Sequence, residues 1–425
     1  MHITITIDKS TFQMLSYDEL MRLSNYYRHN VAPVLVMEIL GDLKKEVPDG
    51  KTPSDARVKD FANKLFPTQC VVNSYYRTLI KGELLGNAVL MDGRPTLDIE
   101  KIVEIDDGRK GFVVAETDAE KSIYKWKDGK FTEADHELSQ LWRTITTHED
   151  LLKNLQKILQ ASTSNRLRSV EELNARVQLV LSDHSIQDRL LLYLIDNYAD
   201  RELNGVEVFG RWIQADRPFL KDLTPYCAYC IKVDLLFHLG LQSEIIGTKP
   251  TNRVDLEYLY YLPFCNVFTS NDKIHKQLAP LLVRPNQQFI TGDDLKKDFK
   301  EIVEHLDKGG ESAKKKFASE PPILDQSLTF KLWKQYFGYP ESSNMDRDIS
   351  EKEMECMKQQ MDKFIRASNG EQVTFKDGET EEFIVKKSYL GANDPCFCGS
   401  GKKVTDCCIT MEEFIKLSEK SKGKV

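Results

Sequence analysis

Ile3, Ile5 and Ile7 alternate with Thr4 and Thr6, and this period of two predicts a β-strand that closes at Asp8. Ser16 followed by Glu19 is a capping-box signature, with Leu20, Leu23, Tyr26 and Tyr27 behind it at helical spacing. The apolar run from Pro33 to Leu40 leads into a helix carrying Glu38, and 54–66 reads as an amphipathic helix. From about residue 86 the texture changes. Gly111 to Val114 and Ser122 to Trp126 predict hairpin strands, Asp128-Gly129 is a further turn signal, and 133–205 is polar, periodic and helical. Apolar helix and strand patterns return at 225–283. The stretch 307–322 contains Gly309-Gly310, Lys314-Lys315-Lys316 and Pro321-Pro322, which predicts a linker or loop. Helices are expected at 327–337 and 351–367, separated by a polar break at 339–350. A hairpin is expected at 373–386 around Asp377-Gly378. No internal repeat is visible.

The remaining composition narrows the class. A chain of 425 residues with 41% hydrophobic content can bury one large core or two to three ordinary ones. No apolar run approaches 18 residues, so no transmembrane helix is expected. Met1-His2-Ile3-Thr4 lacks the flanks of a secretory signal, and a cytoplasmic location is the expectation. Cys70, Cys227, Cys230, Cys265 and Cys356 are scattered, unlike a secreted disulfide scaffold. A net charge of −7 excludes phosphate binding through a global positive field. A nucleic-acid partner would have to meet a local basic patch or a bound cation.

The other four cysteines are concentrated near the C-terminus. Cys396 and Cys398 form a C-x-C pair, and Cys407-Cys408 follow after eight residues. Two close thiolate pairs joined by a turn can converge on one zinc ion. Gly399 and Gly401 let the backbone curl, and Lys402 and Lys403 offset part of the thiolate charge. A phosphate-binding P-loop does not fit, because Lys403 stands where Ser or Thr is needed. The segment resembles the SEC-C zinc motif through Asp394-Pro395-Cys396, Cys398-Gly399-Ser400-Gly401-Lys402-Lys403 and Cys407-Cys408, with Phe397 where proline is usual. The resemblance implies a small structural zinc knuckle that docks on a protein, a ribosome or nucleic acid. With four thiolate ligands the ion has no open position for catalysis.

The candidate chemistry lies upstream, in carboxylates. Asp8 closes the first strand, and Glu38 sits where an apolar run becomes a helix. Asp255 lies in an expected helix that ends by Pro263, and Asp272 follows the buried strand pattern Asn266-Val267-Phe268-Thr269. In a parallel sheet, residues just past the strand carboxyl ends share one edge, where ligands bind. Clustered carboxylates call for a cation, and Mg²⁺ or Mn²⁺ prefers such oxygens. Asp8, Glu38, Asp255 and Asp272 resemble, in order, the four acidic positions of PIN-like nucleases, and Thr269-Ser270-Asn271-Asp272 is the most telling stretch. Lys9 stands where that family commonly has a small hydroxyl residue, although Ser10 and Thr11 follow, and the interval from Glu38 to Asp255 is far longer than in a minimal domain.

The resemblance implies a PIN-like three-layer α/β sandwich with a parallel sheet, built from 1–85 and 206–290. An α+β insertion at 86–205 would interrupt it. A helical extension at 291–370 and a hairpin with the zinc knuckle at 371–425 would follow. It implies a divalent-metal-dependent nuclease, favouring RNA, with Mg²⁺ or Mn²⁺ held by the four acids, structural Zn²⁺ held by the four cysteines, and no membrane partner. Each acid also has a plainer reading. Asp8 is a turn residue, Asp272 caps a helix at 273–281, and Glu38 and Asp255 are solvated helix residues. The corresponding alternative function is a non-catalytic interaction protein on a degenerate scaffold. Asp42 and Glu257 are extra ligands or mere neighbours. Cys227 and Cys230 read as core cysteines, His238 and His275 as isolated structural histidines, and Tyr258, Tyr260, Tyr261, Phe264 and Phe268 as core packing. The basic residues Lys416, Lys420, Lys422 and Lys424 read as a solvated tail.

Overall fold

The computed structural model describes residues 2–338, apart from 49–50, 66–69, 98, 105–109, 115–116, 147–149, 162–165, 199–202 and 319, together with 384–386 and 403. The expected strand forms as β1 (Ile3–Ile7). Asp8 then caps a short helix, α1 (Lys9–Met14), which the sequence pattern did not predict. The capping box starts α2 (Tyr17–Leu23), with Ser16 and Glu19 bonding each other's backbone as that motif requires. β2 (Tyr27–Val31) leads through Ala32 into α3 (Pro33–Gly41), where Pro33 occupies the first turn without losing a needed donor. A 3₁₀ turn (Asp42–Lys44), α4 (Ser54–Leu65), β3 (Val71–Val72) and α5 (Tyr76–Leu84) complete the first segment.

β4 (Ile99–Glu104) and β5 (Lys110–Val114) form an antiparallel pair. The predicted partner strand at 122–126 is instead part of α6 (Asp118–Lys127). Its aromatic and β-branched residues suit a strand, but Thr117 and Glu120 form a capping box, and Ile123 and Trp126 bury one helical face. Helices α7 (Glu133–Thr146), α8 (Asp150–Ala161), α9 (Val170–Ser182) and α10 (Gln187–Tyr198) match the helical expectation for 133–205. Then come α11 (Gly205–Gln214), α12 (Leu220–Leu223) and the long apolar α13 (Pro225–Gln242). α13 buries residues all around its axis, including Cys227 and Cys230, because α5, α8, α9, α10, α12 and α14 (Asn252–Leu259) surround it.

β6 (Val267–Thr269), α15 (Lys273–Leu282), β7 (Gln288–Ile290) and α16 (Gly292–Lys308) follow. The loop expected at 307–322 is partly helical: α17 (Gly310–Lys316) restarts immediately after Gly309. The glycine pair breaks the chain's direction for about one residue and not for a long linker, with Gly310 at φ 66°. α18 (Leu328–Phe337) forms as expected, its first N–H groups held by the buried Asp298 carboxylate. In the expected hairpin at 373–386, only β8 (Ile384–Lys386) is described, and it runs parallel to β5. The expected break at 339–350, the helix at 351–367 and the four zinc cysteines lie outside the described residues.

The main sheet has five strands in the order β3-β2-β1-β6-β7, every neighbouring pair parallel. The protein is therefore of the α/β class. Every residue of β1 and β6 is buried, threonines included, the pattern of a parallel sheet covered by helices on both faces. Asn30 bridges Thr6 Oγ1 and Phe264 O, and accepts from Asn73, so a buried amide chain ties β2 to both of its flanks. The chain leaves β1 toward β2 and β3, then returns to build β6 and β7 on β1's other side. The direction of winding thus reverses between β1 and β6, and the carboxyl ends of the strands at such a switch point are where parallel α/β sheets bind ligands. Among the described residues, no helix is long and apolar enough to cross a membrane.

Candidate functional site: a carboxylate cluster at the switch point

The β1–β6 register sets Ile7 opposite Thr269, so Asp8 and Ser270 leave the sheet side by side. Asp8 is fully buried. Its Oδ1 accepts from the Thr11 backbone N–H at 2.9 Å, and its Oδ2 accepts from Ser10 Oγ and Ser270 Oγ, each at 2.7 Å. The hydroxyl expected one position earlier is thus supplied by Ser10, and Lys9 turns elsewhere. The plainer reading of Asp8 holds as well, since the same carboxylate caps α1.

Asp272 stands at the N-cap of α15, but its side chain makes no capping bond. Its carboxylate, the Asp8 carboxylate and a His275 ring nitrogen all lie within 4.8 Å of one another. Burial and the neighbouring Asp8 raise the Asp272 carboxyl above its ordinary range. Burial would raise Asp8 too, but hydrogen bonding and charge from His275, with Ser10 and Ser270, hold it well below that range.

His275 was read from the sequence as an isolated structural residue, yet it lies at the centre of the cluster. The ring is fully buried, Nδ1 sits 2.7 Å from Ser270 Oγ, and Nε2 sits 2.7 Å from the Asp255 carbonyl. A carbonyl can only accept, so Nε2 donates. Ser270 gives its single hydroxyl proton to Asp8 and also receives the Asp272 N–H, so Nδ1 donates as well. The ring is therefore an imidazolium, its Nδ1 3.8 Å from Asp8 Oδ2. Burial opposes that charge, but Asp8 and then Asp255 outweigh it and raise the ring to about 9. With both nitrogens donating, His275 is a counter-charge to Asp8 in the metal-free protein.

Glu38 and Asp255 do not join the close triad, but each carboxylate feels the others. Asp255 is buried on α14, and Glu38, on α3, accepts from the Tyr258 hydroxyl at 2.5 Å. Burial raises Glu38 to about 7, reinforced by Asp8 and Asp272 and opposed by Lys9 and Tyr258. Burial likewise raises Asp255 to about 7, with Asp272, Glu38 and Asp8 adding and His275 opposing. All four sequence-predicted acids thus share one electrostatic site, drawn from β1, α3, α14 and the β6–α15 junction. Asp42 and Glu257 do not. Asp42 pairs with Lys9, Lys45 and Arg57, and Glu257 faces Arg253 on its own helix. The aromatic run is buried as expected, although Tyr258 also carries the hydroxyl on Glu38.

The donor set suits a hard divalent cation. Four carboxylates are opposed by His275 and, acting on Glu38 and Asp272, by Lys9 and Lys249, with Lys9 shared with Asp42. Asp8 Oδ1, with one hydrogen bond, keeps a lone pair, and the Asp272 carboxylate is not spent on its helix. Two carboxylates completed by water form an ordinary Mg²⁺ site. The class defined by fold and site is an α/β protein with a carboxylate–histidine cluster at the switch point of a parallel sheet. No family model matches the chain, and no solved structure matches it.

Proposed function

We propose that this protein is a PIN-like, divalent-metal-dependent phosphodiester hydrolase acting on nucleic acid, with RNA the favoured substrate. The observation that carries the reading is the close approach of the Asp8 and Asp272 carboxylates at the switch point, with Glu38 and Asp255 electrostatically coupled to both. Asp8 and Asp272 would hold Mg²⁺ or Mn²⁺. Such an ion lowers the pKa of a bound water and stabilises charge on a phosphoryl group. Glu38 and Asp255, both raised to about 7, are suited to take the proton an attacking water releases near neutral pH. His275 keeps Asp8 ionised, and Ser270 fixes the orientation of Asp8 through the hydroxyl it donates. The C-terminal segment would form a zinc knuckle on Cys396, Cys398, Cys407 and Cys408 that docks the enzyme on its substrate, a ribosome or a protein.

The non-catalytic reading has one observation in its favour: the His275 charge already sits beside Asp8 and satisfies part of what a metal would. Cleavage assays separate the two. The purified protein is incubated with mixed RNA and with single-stranded DNA in Mn²⁺, beside Asp8→Asn and Asp272→Asn. Metal-dependent cleavage by the wild type, lowered at least ~100-fold in both variants, is expected for ligands of the reacting centre. Absence of cleavage by the wild type, or equal cleavage by all three, leaves only the scaffold reading.

A further inference from the structure

A second charged feature adjoins the carboxylates and has the opposite sign. The buried Asp42 carboxylate, at the end of α3, is approached from three elements. Lys9 Nζ on α1 lies 3.0 Å away, a guanidinium nitrogen of Arg57 on α4 lies 3.4 Å away, and Lys45 Nζ lies 3.9 Å away. Arg143, on α7, acts on Lys45 as well. It is brought in by the close seating of α7 on α3, where Trp142 packs directly over Gly41. Three cations thus surround a single negative charge, with Arg143 near one of them. The Lys45 ammonium is destabilised first by burial and then, against the pull of Asp42, by Lys9, Arg57 and Arg143. The inner member, Lys9, is 15% exposed, while Arg57 and Lys45 are 30% and 43% exposed, so the excess charge opens to solvent.

We propose that this patch binds the phosphodiester backbone of a single-stranded polynucleotide and leads it to the carboxylate cluster. The inference rests on the hydrolase reading above and adds the surface that carries the substrate. Charge complementarity commits it to a polyanion. Arg57 favours phosphate, whose oxygens match the guanidinium fork. Continuity with the cluster comes from Lys9, which follows Asp8 in sequence and donates from Nζ to the Glu38 carbonyl at 2.7 Å. The overall charge of −7 does not forbid such a site, because fields from distant surface acids are screened beyond about 10 Å at ordinary ionic strength. This is the local basic patch that an acidic nucleic-acid enzyme requires.

The test is fluorescence anisotropy with labelled poly(U) in EDTA, where binding is read without cleavage, across a salt series. Three proteins are compared: the wild type, Lys45→Ala/Arg57→Ala/Arg143→Ala, and Lys314→Ala/Lys315→Ala/Lys316→Ala. The last loses the same charge from α17, whose following residue Phe317 meets Tyr26 before β2, at the opposite end of the strands. For three phosphate contacts the patch variant should lose about two units of log–log salt slope, and about a hundredfold in affinity near 0.1 M salt. The α17 variant should bind as the wild type does.

A loss below about tenfold, an equal loss in the α17 variant, or equal competition by polyglutamate overturns the proposal. Lys45→Arg/Arg57→Lys/Arg143→Lys should retain binding. Lys45→Glu alone, on an exposed side chain, should weaken it if the triple alanine variant does not fold by circular dichroism. Cleavage in Mn²⁺ keeps the two readings apart. A wild type that binds through the patch but never cleaves removes the hydrolase reading alone, and a patch variant that binds and cleaves like the wild type removes the patch alone.

Discussion

Replacing Asp255 by Asn should make the metal-free protein more stable above neutral pH, at the cost of the metal response. Asp255 is buried, and that burial, with Asp272, Glu38 and Asp8 nearby, raises its carboxyl from 3.8 to about 7. An acid whose folded pKa is raised carries no ionisation penalty below its unfolded value. The penalty then grows as pH rises and levels off above the folded value. Asp255 is therefore neutral at pH 3.5, and at pH 8 its ionisation in the fold opposes stability by ~2–4 kcal/mol, at 1.36 kcal/mol per pKa unit. Asparagine keeps the shape without the charge, and the bond from His275 goes to the Asp255 backbone carbonyl, which the substitution leaves in place. At ~2 cal/mol/K of unfolding entropy per residue, a chain of 425 residues converts that gain into a melting shift of roughly 2–4 °C.

The assay is thermal unfolding in EDTA from pH 4 to 8.5. Asp255→Asn should match the wild type at the acidic end and exceed it progressively toward pH 8. With excess Mn²⁺ at pH 8 the order should narrow or invert, because a ligand at ~100-fold over its Kd stabilises the wild type by about 2.7 kcal/mol. A variant no more stable relative to the wild type at pH 8 than at pH 4 would refute the claim that Asp255 stands in a mutually repelling group.

Other outcomes follow from the same geometry. Glu38 and Asp255, both about 7, should make metal-dependent cleavage fall as pH drops below neutrality, and higher Mn²⁺ should move that limb to lower pH because the ion competes with protons; initial rates from pH 5.5 to 8.5 at two metal concentrations check it, and a flat profile contradicts it. Gly41→Ala would place a methyl group 2.5 Å from the Trp142 ring, so it should cost ~1–3 kcal/mol and lower the melting temperature, an outcome that an unchanged melt would exclude. Elemental analysis should find about one zinc per chain, lost in Cys396→Ser/Cys407→Ser while the circular dichroism of the α/β region stays native.

The fold was legible where local signals agree with tertiary demand. The alternation at Ile3–Ile7 and the Ser16/Glu19 box are short-range, and each forms as its chemistry directs, whereas the apolar run Pro33–Leu40, read as leading into a helix, is itself helical from Pro33. At 122–126 two local signals conflict. Ile123, Tyr124 and Trp126 suit a strand, but the capping box of Thr117 and Glu120 and the burial of Ile123 with Trp126 decide for a helix. At Gly309-Gly310 the pattern detected a break and misjudged its length, because nothing in glycine content says how soon a helix restarts.

The site divides along the same line. Asp8 and Asp272 could be found because strand ends are local features and a parallel sheet gathers them on one edge. His275 could not, although the Asp272-x-x-His275 spacing places both residues in the first turn of α15. Its significance comes from Ser270, from Asp8 some 260 residues away, and from a backbone carbonyl on α14 that no sequence pattern marks. Once both nitrogens are seen to donate, the buried histidine explains how the buried Asp8 stays ionised while Asp272, Glu38 and Asp255 are pushed toward neutrality. The buried imidazolium keeps Asp8 charged, whereas Lys9 and Lys249 do not offset the burial that raises Glu38 and Asp272. Protons satisfy the Glu38, Asp255 and Asp272 carboxyls at low pH, and a divalent cation bound in their place would have to displace them, so its affinity would rise with pH.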